Sequence, residues 1–360
     1  MKLGARIFKT GIAIALALFL SDLLQLPNPV FAGIAAIFAV QPSIYRSYLT
    51  IVEQIQGNLI GASIAVVFVM LFGQQVLIIG LAAIIIIMIM LQLKLEKSIS
   101  LALVTMIAIM EIQGDAFLNF ALLRLLTIII GVLSAFVVNL VFIPPKYEKK
   151  LFQTIHLTQD EIIRWTRLAA RQASEHHATQ HALDKIKDSL KQIDELYVLF
   201  KEERKYFKRN TIGKSRKLVV YRQMIATSSS SYDLLKRLHQ YENELIEMPE
   251  HFRMMIQERL DTLLTYHEQL HLKFVGKLKA DTIHIPEKED YLQRHEVMDI
   301  FMQEITLTTE LEEFSPYHLL HVLSAMLYYD EHLEHLDLLI TSYQRHHEES
   351  YIEEFEDDIY

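Results

Sequence analysis

The chain falls into two parts by the pattern of its apolar positions. Up to about residue 143, apolar residues run in long, nearly unbroken stretches; beyond it they recur every three or four positions among charged ones. Hydrocarbon is about 30 Å thick and a helix rises about 1.5 Å per residue, so a spanning helix needs roughly 17 to 25 mostly apolar residues. The pattern predicts six spans, at 7–26, 30–44, 55–72, 76–93, 97–112 and 120–142. The first carries Lys9 and Asp22 near its ends, and the second is short and broken by Pro42. Between them Pro27-Asn28-Pro29 cannot continue a helix, which favours two antiparallel spans over one long one. A cleaved signal peptide is the rival reading of the first twenty residues; against it, no small-x-small site follows Leu20 and apolar sequence resumes at Leu23.

The second part reads as long amphipathic helices. Leu183, Ile186, Leu190, Ile193, Tyr197 and Phe200 step by three and four, as do the apolar positions from Phe252 to Leu270 and from Leu319 to Ile340. Breaks near Gly213, Pro249, Pro286 and Pro316 divide it into about six helices, the pattern of an antiparallel bundle. The expected class is therefore all-α, with a transmembrane domain over 1–143, a cytoplasmic helical domain over 144–347 and a solvated acidic tail over 348–360. Pro144-Pro145 ends the last span.

Charge sharpens this division. The chain is 51% hydrophobic with a net charge of −9, but the first 143 residues hold only 7 of the 35 Lys and Arg, 5 of the 44 Asp and Glu, and none of the 16 His. A single soluble globule, a basic nucleic-acid binder, and a disulfide or thiolate-zinc scaffold are excluded, the last because Cys is absent. Lys and Arg flanking spans are retained on the cytoplasmic side. Lys2, Arg6, Lys9, Arg46, Lys94, Lys97, Lys146, Lys149 and Lys150 all fall on one set of connections, and the opposite set has none, so both termini are expected in the cytoplasm.

A shift of 70 residues lays 53–72 on 123–142, matching Ile60 with Ile130, Gly61 with Gly131, Ala65 with Ala135, Val67 with Val137 and Phe72 with Phe142. Gly57, Gly61 and Ala65 step by four along one span, and Thr127, Gly131 and Ala135 do the same along the other. Small residues at that spacing make a flat ridge for close helix packing. Three spans per unit is an odd number, so the second unit would insert upside down, giving two inverted three-helix repeats of the kind used by secondary transporters.

A charge inside the bilayer costs at least ~2.5 to 3.5 kcal/mol. Arg124 lies inside the sixth span on the ridge face, with Gln54 as its counterpart under the 70-residue shift and Asn139 further along the same ridge. A guanidinium with nearby amides suits a carboxylate held in bidentate geometry, which makes Arg124, Gln54, Asn139 and Arg46 candidate substrate contacts. The alternatives are that Arg124 pairs with Asp115 or Glu111 or snorkels to the outer surface, and that Arg46 serves topology alone. Glu53, Glu111 and Asp115 are candidate proton-coupling groups; Glu53 is equally a partner for Arg46, and the other two a solvated rim.

Histidine pairs three or four apart (His177 and His181, His267 and His271, His318 and His321, His332 and His335) face the same way on helices, but no His-Glu-x-x-His pattern accompanies them, and no metal or other cofactor is expected. Nucleotide loops and nucleophile elbows are absent, so the reading is not an enzyme.

Val40-Gln41-Pro42-Ser43 closing the second span, Gly57-Asn58-Leu59-Ile60-Gly61-Ala62 opening the third, and Arg124 through Gly131 to Val138-Asn139 before Pro144-Pro145 resemble the Gram-positive aromatic acid exporter family, within the fusaric-acid-resistance-like superfamily. The resemblance covers essentially the whole chain. It implies a multi-pass protein of the bacterial cytoplasmic membrane exporting aromatic or other organic acid anions, with the lipid bilayer and a small organic anion as partners. Larger relatives contain two membrane modules, so a homodimer or higher oligomer is expected here. The competing function is a membrane-anchored scaffold or sensor whose bundle binds a protein partner.

Overall fold

The computed structural model describes residues 3–112, 117–142, 147–206, 211–278, 298–303 and 318–345. The described residues are helical throughout, with no strand, so the all-α class holds. The chain separates into two compact units, Met1–Pro145 and Lys146–Tyr360. The double proline expected to end the sixth span, the expected breaks near Pro286 and Pro316, and the expected acidic tail lie outside the described residues.

The first unit contains α1 (Leu3–Leu23), α2 (Val30–Ala39), α3 (Ile44–Phe72), α4 (Val76–Gln92), a 3₁₀ turn (Glu96–Ser98), α5 (Ile99–Met110) and α6 (Phe117–Val141). Two described segments, 45–72 and 117–141, are long and apolar enough to cross a membrane. The 27–29 turn does end a helix: α1 stops at Leu23, and Gln25 and Asn28 take positive φ. The second segment is shorter than its hydrophobicity suggests. Pro42 has no N–H to continue α2, and the Ser43 hydroxyl accepts from the Arg46 N–H at 3.1 Å, capping a new helix. As a result α3 runs 29 residues, about 43 Å, and carries Arg46 and Glu53 two turns apart on one helix rather than on either side of a loop.

Two apolar clusters form inside this unit. One joins α1, α2 and α6 through Ala13, Ala17, Ala36, Val132 and Ala135; the other joins α3, α4 and α5 through Ala65, Ile86 and Met106. Helices α3 and α6 pack on each other and link the clusters. Both ridges are used. A Cβ on Gly61 would run into the carbonyl of Ala102 on α5, and one on Gly131 into the carbonyl of Ala32 on α2. These two contacts are themselves separated by 70 residues at both partners, Gly61 to Gly131 and Ala32 to Ala102. A Cβ on Gly57 would instead meet the side-chain Cβ of Ser98. At one end of the unit Lys9 Nζ donates to the Phe142 carbonyl at 2.8 Å, placing the start of α1 beside the end of α6 and setting a cation at a helix C-terminus. Gln74 donates to the Ile112 carbonyl, bringing the α3–α4 turn to the end of α5.

The second unit contains α7 (Tyr147–Ala170), α8 (His176–Tyr206), α9 (Thr211–Gln240), the short α10 (Glu242–Glu247), α11 (Glu250–Phe274) and α12 (Leu319–Gln344). Its core is built from the predicted stripes: Leu183, Ile186, Ile193 and Phe200 of α8, Leu260 and Leu263 of α11, and Val322, Leu333 and Ile340 of α12 are all buried. Gly276, at φ +81°, ends α11, with the Lys277 N–H reaching the Leu272 carbonyl at 3.0 Å. Ion pairs bind α11 to its neighbours: Arg259 to the buried Asp330 at 2.6 Å, Lys273 to Asp337 at 2.6 Å, and Arg167 through both nitrogens to Glu268 at 3.0 and 3.1 Å.

Candidate functional site

A polar cluster sits inside the otherwise apolar first unit. It is centred on Arg124, which α6 turns inward on the same face as Thr127 and Gly131; the residue is 3% exposed. Its Nε donates to Thr105 Oγ1 at 3.4 Å and its Nη2 to the Val104 carbonyl at 3.2 Å, both on α5. The guanidinium carbon stands 3.7 Å from the ring centroid of Phe31 on α2. Thr105 donates in turn to Asn58 Oδ1 at 2.5 Å, and Asn58 Nδ2 donates to the Gln54 carbonyl at 2.8 Å, one turn back along α3. Four helices thus supply the cluster.

What the cluster lacks defines its chemistry. Among the described residues no carboxylate pairs with Arg124; Glu111 is exposed at the end of α5, and Asp115 lies outside them. Arg124 Nη1 is buried without an acceptor, and both side-chain polar atoms of Gln54, 2% exposed, are buried without a partner. Leaving such groups unpaired costs about 1–3 kcal/mol each, more when charged. A guanidinium N–H with an open valence, like the amide N–H of Gln54, is the complement of a carboxylate oxygen.

The other predicted residues lie elsewhere. Asn139 is buried but about 22 Å along α6 from Arg124, where its amide donates to the Gln41 carbonyl at 2.9 Å and pins the break between α2 and α3. Arg46 occupies the first turn of α3, two turns before Gln54; Glu53 is half-buried beside Gln54 in sequence. Thr127 returns its hydroxyl to the Leu123 carbonyl, while Gly57, Gly61, Ala65, Gly131 and Ala135 are buried at helix contacts. Sequence reasoning missed Asn58, Thr105 and Phe31. Asn58 carried a signal, a polar residue four after Gln54 and so on its face; Thr105 and Phe31 had none, because an isolated Thr or Phe in an apolar span looks like packing.

In the second unit, histidines from α7 and α11 gather beside a tyrosine of α12. His267 Nδ1 meets the Tyr329 hydroxyl at 2.8 Å, and His271 Nδ1 meets His156 Nδ1 at 3.4 Å. Burial and then the neighbouring His156 push His271 down to about 3, and burial together with His271 holds His267 well below the usual imidazole value. Both are therefore neutral core residues at physiological pH, and the four-residue spacing reflects a buried stripe.

Comparisons with known proteins bear on the first unit most directly. Residues 1–142 match the family described as "Aromatic acid exporter family member 1". The chain is 50% identical over 347 residues to UPF0421 protein YgaE of Bacillus subtilis, covering 96% of this chain and 97% of that protein. A UPF0421 protein of Staphylococcus saprophyticus is 32% identical over 212 residues, covering 57% of this chain and 64% of that one, and one from Oceanobacillus iheyensis 28% identical over 149 residues, covering 41% and 43%.

Proposed function

The chain belongs to the aromatic acid exporter family and is accordingly a membrane protein, and from that premise we propose that it is a six-span transporter exporting aromatic or other organic acid anions. The observation that carries this reading is the buried guanidinium of Arg124 with an open Nη1 and no carboxylate partner among the described residues. Asn58 lies about 21 Å along the 43 Å of α3, Thr105 midway along α5 and Arg124 about 11 Å into the 37 Å of α6, so the cluster lies well inside the helices, and transporters place their substrate sites at the interface between repeats. Arg124 and Gln54 hold the carboxylate. The inside-negative potential favours efflux of an anion by about 2.3 kcal/mol per charge per 100 mV, and Glu53, Glu111 or Asp115 adds proton exchange where voltage alone does not suffice.

The matched glycine contacts support two inverted three-helix repeats in which each unit's third helix packs on the other's second. The neighbouring ends of α1 and α6 suit an even number of crossings, with both termini on the cytoplasmic side and the helical bundle inside the cell. The exposed apolar side chains of α4, among them Leu77, Leu81, Ile84 and Met88, face lipid or a second copy in a homodimer.

The test is efflux of labelled aromatic acids from vesicles containing the purified protein under defined pH and voltage gradients. Wild type moves the anion, and correctly inserted Arg124→Gln does not. Equal efflux by the variant removes the anion site. If no organic anion moves while the protein captures a specific partner through its bundle, the scaffold reading replaces the transporter.

A further inference from the structure

The geometry points to a divalent transition-metal site, suited to zinc, formed by His176, His239 and Glu242 in the second unit. It stands apart from the transport reading. The three residues come from the first turn of α8, the last turn of α9 and the first turn of α10. Their donor atoms all lie within 4.8 Å of one another. His176 Nδ1 is 3.1 Å and His239 Nδ1 3.9 Å from the same oxygen, Glu242 Oε2, and the two imidazole rings are 4.1 Å apart at a tilt of 31°.

A zinc ion binds imidazole nitrogen and carboxylate oxygen at about 2.0–2.2 Å in a tetrahedron, which sets neighbouring donors about 3.3–3.5 Å apart. The two observed separations from Glu242 Oε2 bracket that value. A plain hydrogen bond accounts for the His176–Glu242 contact but not for the second imidazole, aimed at the same carboxylate oxygen from beyond hydrogen-bond range. Two nitrogen donors select zinc and its transition-metal neighbours over calcium or magnesium, which prefer oxygen. His239 is buried and fixed on α9, whereas His176 is exposed, so the site is preformed on one side and open on the other. The two histidines also line a cavity of about 400 Å³ together with Asp184 and Tyr232, which leaves room for water at the fourth position. A bound ion would tie the start of α8 to the α9–α10 corner.

Full-length protein in detergent, stripped with a chelator, is titrated with zinc chloride by calorimetry and with cobalt chloride by visible absorption. The expected result is a zinc site that weakens about tenfold or more in His176→Ala and in Glu242→Gln, with tetrahedral cobalt bands that both substitutions remove. Zinc also raises the melting temperature of wild type and not of either variant. His176 is exposed, so His176→Ala leaves the core packed, and matching circular dichroism spectra verify this. Zinc affinity unchanged in both variants assigns binding to other histidines and overturns the site, as does an absence of binding to wild type.

Discussion

The guanidinium of Arg124 lies on the face of Phe31, its central carbon 3.7 Å from the ring centroid. A cation on an aromatic face gains about 0.5–1 kcal/mol in water and ~2 when desolvated. Here the ring fixes the plane of the fork while α5 accepts from Nε and Nη2, so Nη1, which has no acceptor, is left to meet a ligand. Phe31→Leu keeps apolar bulk but removes the stack. The expected outcome is a several-fold rise in KM for the exported anion with normal insertion, measured by vesicle efflux. Arg124→Lys should cost more than Phe31→Leu, because an ammonium has the charge without the fork; the reverse order would show that charge alone matters.

Gly61→Ala and Gly131→Ala set two effects against each other. Alanine in a helix interior gains about 0.8–1 kcal/mol over glycine, but the new methyl meets a backbone carbonyl that no rotamer change can move, and overpacking costs about 1–3 kcal/mol. The steric term wins, so both variants should melt lower than wild type in detergent. Gly80→Ala, whose Cβ meets nothing within 4 Å, is the control and should melt no lower.

Arg259 and Asp330 form a buried pair at 2.6 Å in the second unit. Removing one partner strands a charge and costs about 3–5 kcal/mol, whereas replacing both with apolar residues of similar volume is often neutral or stabilising. Asp330→Leu should lower the denaturant midpoint sharply, and Arg259→Met combined with Asp330→Leu should restore most of it. If the double variant is as unstable as the single, packing around the pair outweighs the charge.

His267 and His271 give the second unit a pH dependence of known sign. An unfolded histidine titrates near 6.5, while His271 is held at about 3 by burial and by His156, and His267 is lowered by burial and by His271. Between those values the unfolded chain binds more protons, so stability rises with pH across the window and is lost as pH falls from about 6.5 towards 3, by a few kcal/mol in all. Denaturation of full-length protein in detergent at pH 7.5, 6.5, 5.5 and 4.5 should show this decline, and His271→Gln should flatten it. A midpoint independent of pH would mean that the two rings are hydrated.

The helices were legible wherever the apolar period was clean. The α8, α11 and α12 stripes are buried as their spacing predicts, and the helix break before α3 could be anticipated from Pro42. The length of α3 could not, because its first three turns contain Arg46, Glu53 and Gln54 and read as a polar connection. Arg124 and Gln54 stood out as polar residues in apolar surroundings. Their tertiary company did not, since Thr105 and Phe31 come from other helices and only the packing of α2 and α5 against α6 reveals them. His239 and Glu242 meet His176 from more than 60 positions away, a separation that no helical spacing rule searches.

The pairing of Gly131 with Ala32 constrains when the first unit can assemble. Helix α2 can pack on α1 as soon as both have emerged, but the close contact at Ala32 waits for α6, about a hundred residues downstream, so during synthesis one face of α2 stays uncovered beside the translocon until most of the remaining helices have emerged. A chain truncated before Gly131 leaves that surface uncovered and should be cleared by membrane proteases, while a separately synthesised α6 segment supplied in trans should rescue it.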